Sequence, residues 1–148
     1  MKAAGISEIK HELTHLDKKV LLEIFLRVIK YKKENKELVT FLLYEANDLQ
    51  SYISNVKADM DEQFEQINKA NLYFAKKSLR KILKTTNKYI KHTASKEVEL
   101  GLLIYYCSKI ISSGIKISKS TALTNIYNNQ LKKIKLIMSG LHPDLQYD

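Results

Sequence analysis

His11-Glu12-Leu13-Thr14-His15 sets two imidazoles four residues apart with a carboxylate between them. On a helix, positions i and i+4 share a face, so the pair could chelate zinc while the glutamate acts as general base toward a bound water. The surroundings do not complete that chemistry. A hydrolytic zinc centre needs a third protein ligand, and the continuation Leu16-Asp17-Lys18 supplies neither the glycine nor the third histidine of the extended motif. The remaining histidines are His92 and His142, and only ten residues precede His11, too few for a strand that could present a peptide substrate. Glu12-x-x-His15 is also half of a di-iron carboxylate set. Its second half is missing, because Tyr89 precedes His92 by three residues and Ser139 precedes His142. No glycine-rich phosphate loop, nucleophile elbow or Cys–His arrangement occurs. Cys107 is the single cysteine and lies in an apolar run, where a thiol is expected to be buried and inert. The expectation is therefore no catalytic residue, no metal and no cofactor, with the zinc-dependent hydrolase as the weakest of three functional readings.

A different chemistry is written in the distribution of charge. Residues 1–68 hold 10 Lys/Arg and 12 Asp/Glu, whereas residues 69–148 hold 15 and 4. Lys77, Lys81, Lys84, Lys88 and Lys91 follow one another at spacings of 4, 3, 4 and 3, which is one face of a helix, with Arg80 at its border. Lys132, Lys133 and Lys135 form a second basic group after Asn128, Asn129 and Gln130. Such a face suits a polyanion, which gains affinity by releasing counterions, and Tyr73, Tyr89 and Tyr127 lie among the lysines where they could stack on bases. Lysine outnumbers arginine 23 to 2, so nucleic-acid binding would follow the backbone and ignore sequence. Two plainer readings compete: a solvated lysine face, and internal neutralisation by Asp59, Asp61, Glu62 and Glu65 of the preceding helix.

The elements that carry these residues read as helices nearly throughout. The chain has one proline and four glycines, less punctuation than sheets and their turns require. Apolar residues recur at three- and four-residue spacing over about Ser7–His15, 17–33, Lys36–Asn47, Leu49–Ile67, Asn71–Lys91, 95–113 and Ser120–Ser139. Asp17 and Ser95 are candidate N-caps, Glu34-Asn35-Lys36 a turn, Gly114 a C′ residue, and Gly140 followed by Pro143 a stop. Leu100–Cys107 is almost wholly apolar and could be a buried strand, but its continuation to Ser113 favours a buried helix. The expected fold is all-α: about seven helices in stacked antiparallel hairpins, solenoid-like or as an irregular bundle, within a single domain over 1–148. The 148-residue length suffices for a sizeable core. No apolar run is long enough to span a bilayer, and no leader-like apolar region opens the chain, so a cytoplasmic protein is expected.

An offset of 61 residues aligns Ile29 with Ile90, Lys30 with Lys91, Leu42 with Leu103 and Tyr44 with Tyr105. On these positions the chain resembles HEAT- and armadillo-type helical hairpins in architecture, with units at about 17–47 and 77–113. It also resembles small bacterial all-helical proteins to which no activity is assigned. Neither resemblance implies a functional residue. The leading expectation is a non-enzymatic helical adaptor for a protein or polyanion. The second is a sequence-blind nucleic-acid-binding domain working through Lys77, Arg80, Lys81, Lys84, Lys88, Lys91, Lys132 and Lys133.

Metal analysis of protein purified without chelator should find no stoichiometric zinc. One zinc per chain, lost on His11→Ala, would restore the hydrolase reading.

Overall fold

The computed structural model describes residues 1–141, and every regular element among them is helical. The order is α1 (Ile6–Thr14), α2 (Lys18–Tyr31), α3 (Lys33–Thr40), a π turn (Phe41–Glu45), α4 (Leu49–Glu65), α5 (Leu72–Thr93), α6 (Lys96–Ser112), a 3-10 turn (Ile117–Lys119) and α7 (Thr121–Gly140). The all-α expectation holds. The residues group into two compact units, Met1–Tyr44 and a second that begins at Glu45.

Side-chain caps explain most of the starts. Asp17, Asp48, Asn71, Ser95 and Ser120 each accept a hydrogen bond from the backbone N–H three residues on, filling one of the four donors a helix start leaves open. The ends are equally local. Gly114 follows α6 with φ +84°, the left-handed conformation glycine adopts without penalty. Ala94 adopts the same region at φ +49° to end α5, without glycine's freedom. α7 runs through Gly140, whereas Pro143 lies outside the described residues.

One boundary departs from expectation. The break after α2 falls at Lys32, which is extended (φ −142°, ψ 146°), and Glu34-Asn35-Lys36 lies inside α3 instead of forming the turn. The Asn35 side chain explains the shift: its Nδ2 donates to the Val28 carbonyl at 2.7 Å, satisfying an acceptor at the open end of α2.

The second unit is built around α6. This helix packs on α4, α5 and α7, and α7 also reaches α5. It buries the adjacent pairs Leu102–Leu103 and Tyr106–Cys107 together with Val98 and Ile110, about half of its circumference. A helix covered that widely needs no polar face, and this is why its sequence runs apolar without alternation. Its neighbours offer narrow stripes instead: Tyr52, Val56, Met60 and Phe64 from α4, Ala75, Leu79, Ile82, Thr86 and Ile90 from α5, and Leu123, Ile126, Ile134 and Ile137 from α7. Tyr106 is fully buried, and its hydroxyl donates to the Leu79 carbonyl at 2.8 Å, tying α6 to α5. Thr86 satisfies its own hydroxyl on the Ile82 carbonyl. Gln130 is the exception within this core, buried with its Oε1 unpartnered.

The first unit differs in kind. Phe41 is its one buried residue. Val20, Leu21, Ile24, Phe25 and Val28, whose spacing anticipates a covered face, stay more than a third exposed. The 61-residue offset likewise pairs unlike environments: Leu103 is fully buried in α6, but Leu42 lies 57% exposed in the π turn.

Leu103→Ala should lower the unfolding free energy by about 2–5 kcal/mol through lost burial and a residual cavity, and Leu136→Ala, which is 73% exposed, by less than about 0.5 kcal/mol. Paired urea titrations check this; equal losses would contradict the placement of α6 at the centre.

Candidate polyanion interface

α5 contains no acidic residue in its 22 positions, so every charge it carries is positive. Its buried stripe turns the opposite side outward. Lys77, Arg80, Lys81, Lys84 and Lys91 are exposed on that side, and Lys88 is half-buried there with its Nζ 5.8 Å from the Tyr89 ring centre. The face is thus contiguous, as the spacing anticipates. Self-repulsion costs a few tenths of a kcal/mol per i,i+4 pair, whereas each large apolar side chain buried on the far side stabilises by roughly 1.5–3 kcal/mol. Packing therefore outweighs repulsion, and α5 holds Lys77, Lys81, Lys84 and Lys91 together without a compensating acid.

Two of the four acids of α4 are engaged away from the stripe, and Glu62 and Glu65 are exposed. Asp61 pairs with Lys109 of α6 at 3.2 Å and accepts a hydrogen bond from the Tyr105 hydroxyl at 2.6 Å. The Tyr105 bond, helped by Lys109, holds the Asp61 carboxyl below the usual carboxylate range, and the same bond with burial pushes the Tyr105 phenol up to about 12. Asp59 accepts from Gln63 one turn along its own helix. Lys77, Arg80, Lys81, Lys84 and Lys91 make no ion pair among the described residues. At these five cations, internal neutralisation by α4 is therefore not what the packing produces.

The second basic group divides. Lys132 and Lys135 are exposed on the side of α7 away from its buried stripe. Lys133 is half-buried and reaches Glu99 at 3.6 Å, where Lys96 also binds at 3.2 Å. Its charge is spent within the fold, so it does not extend the α5 face. The three tyrosines divide as well. Tyr73 stays with the lysines, 54% exposed, with Lys77 and Lys76 Nζ 4.9 and 5.3 Å from its ring centre. Tyr89 packs edge-on against Tyr52, and Tyr127 lines an apolar groove of about 390 Å³ between α6 and α7 with Ile104 and Ile111. Sequence reasoning missed the Tyr73–Lys77 neighbourhood as a unit, although their i,i+4 spacing carries the signal.

Compared with known protein families, with curated proteins and with solved structures, the chain matches none.

The histidine motif lies on α1 and its end. His11 and His15 have ring centres 4.5 Å apart, but His15 follows the last residue of the helix, and its Nδ1 sits 2.8 Å from the His11 carbonyl oxygen. Both rings and Glu12 are exposed. Among the described residues no cluster of three His, Cys, Asp or Glu side chains could hold a metal. Cys107 is buried, and burial pushes its thiol up to about 11, far from the range in which a thiolate attacks or ligates. Among the described residues no helix is long and apolar enough to cross a membrane.

Proposed function

We propose that this chain is a non-enzymatic helical binding module of the cytoplasm whose α5 face docks a polyanion. The observation that carries the reading is the set of exposed cations at Lys77, Arg80, Lys81, Lys84 and Lys91, held on one helix face with no acid paired to them. Lys88 completes the row. A polyanion laid along that face replaces mutual repulsion with attraction and releases its own counterions, so affinity is electrostatic and sequence-blind. Lys132 adds charge from a separate helix face, and Lys133 adds little because Glu99 already holds it.

A nucleic acid is the second reading, and Tyr73 favours it. Its ring is open to solvent at the edge of the cationic row, where a base could stack in a sequence-tolerant way. A stacking contribution of about 1–3 kcal/mol per base would then separate single-stranded nucleic acid from other polyanions.

Fluorescence anisotropy on labelled oligonucleotides tests both. If Lys77, Lys81, Lys84, Lys88 and Lys91 contact five phosphates, log K against log salt should have a slope of about −4 to −5 on duplex DNA and about −3.5 on a single strand. Lys84→Ala should reduce the slope by about one without altering sequence preference, and Tyr73→Ala should weaken the single strand more than heparin. No binding of any polyanion at about 50 mM salt would discard the proposal.

A further inference from the structure

The outward side of α5 begins with two aromatic rings. Tyr73 and Phe74 stand four and three residues before Lys77, so they flank the start of the cationic row on its own side. Ala75, Leu79 and Ile82 of the buried stripe lie opposite. The core covers neither ring: Tyr73 is 54% exposed and Phe74 49%. The two ring centres are 5.6 Å apart at 67°. The Phe74 N–H donates to the Asn71 cap at 3.1 Å, which orders the turn that carries both rings. Among the described residues of the second unit no other aromatic side chain is as open, because Tyr89 and Tyr127 are drawn inward. From Lys77 to Lys91 the same side presents cations and no exposed ring.

We infer, resting on the polyanion reading above, that the occupant is a single-stranded nucleic acid read at one end of the row. Tyr73 and Phe74 receive its unpaired bases, and the lysines follow its phosphates toward Lys91. A base offers a flat π-face whatever the sequence, and only an unpaired strand leaves that face open. The Lys77 and Lys76 amines, 4.9 and 5.3 Å from the Tyr73 ring centre, put positive charge where the phosphate beside a stacked base would lie. Other occupants use this face less well. Carboxylates of an acidic peptide are repelled by the negative face of a ring. A helix lying in a bilayer surface sinks its apolar side, and that side of α5 is committed to the core. A second copy of a chain of net charge +9 would bring like charge to the row. From Tyr73 to Lys91 the helix rises about 27 Å, the length of about eight nucleotides of a stacked strand.

Fluorescence anisotropy of the full chain at about 50 mM salt decides it, with labelled strands of about eight nucleotides. One strand carries every base, one is abasic throughout, and two more keep only the two bases at one end or the other. The abasic strand should bind about 5- to 150-fold more weakly than the complete one, and one of the two end-based strands should recover most of that loss. The double variant Tyr73→Leu, Phe74→Leu should bind the complete strand as weakly as the native protein binds the abasic one, with heparin affinity unchanged. Equal binding of complete and abasic strands by the native protein overturns the inference, and so does a failure of both end-based strands to recover affinity. A double variant that loses heparin as strongly as the complete strand also overturns it. Equal strand binding with co-pelleting on vesicles of 3:1 zwitterionic to anionic lipid, abolished in the double variant, overturns it in favour of a membrane surface. Heparin bound without any preference for bases removes this inference and leaves the polyanion reading standing, whereas no polyanion bound removes both. If the double variant does not fold, the four strands on the native protein decide alone.

Discussion

Burial of α6 against α4, α5 and α7 is the constraint from which the second unit follows. A helix that hides about half of its circumference cannot be rotated without exposing part of an apolar run, so its three neighbours must each turn an apolar stripe toward it. The Tyr106 hydroxyl on the Leu79 carbonyl fixes α5 in that rotation. Once Leu79, Ile82 and Ile90 face inward, 3.6-residue periodicity leaves Lys77, Lys81, Lys84 and Lys91 no place but the outside. The cationic face is thus a geometric consequence of packing on the opposite side of the same helix.

Charge follows the same hierarchy. Desolvation and packing choose which helices touch, and ion pairs form only where that choice permits. Asp61 meets Lys109 because α4 lies on α6, and Glu99, which also pairs with Lys96 one turn away on α6 itself, meets Lys133 because α7 lies on α6. Such partly exposed pairs contribute about 0–1 kcal/mol each, too little to redirect a core worth many times more. Lys77, Arg80, Lys81, Lys84 and Lys91 stay unpaired because the packing brings no acid within ion-pair reach of them.

Much of this was legible in the residues. Asp17 and Ser95 announce helix starts by their capping chemistry, Gly114 announces an end by its permitted left-handed backbone, and the 4-3-4-3 lysine spacing announces a face. Leu100–Cys107 resolves as helix because a run flanked by helical periodicity up to Ser113 is too long for an ordinary strand. What was not legible depends on contacts between distant residues. The Asn35 bond to Val28 moves a boundary that local composition places three residues later. The nearest acids in sequence, on α4, were the obvious partners for α5, yet Asp61 turns to α6. Periodicity marks Leu21, Ile24, Phe25 and Val28 as one side of α2 but carries no information on what covers it. Tyr127 resembles a stacking residue by its neighbours in sequence and is drawn into the groove beside Ile104 by the packing of α7 on α6.

The central claim is that one face of α5, and not basic charge at large, meets the polyanion. Amine acetylation of the full chain, read by mass spectrometry with and without a saturating single-stranded oligonucleotide, tests it residue by residue. Protection concentrated on Lys77, Lys81, Lys84 and Lys91, with Lys132 and Lys135 as reactive as in the free protein, is the predicted result. Uniform protection of all lysines, or protection of Lys132 and Lys135 with the α5 row unchanged, would contradict it.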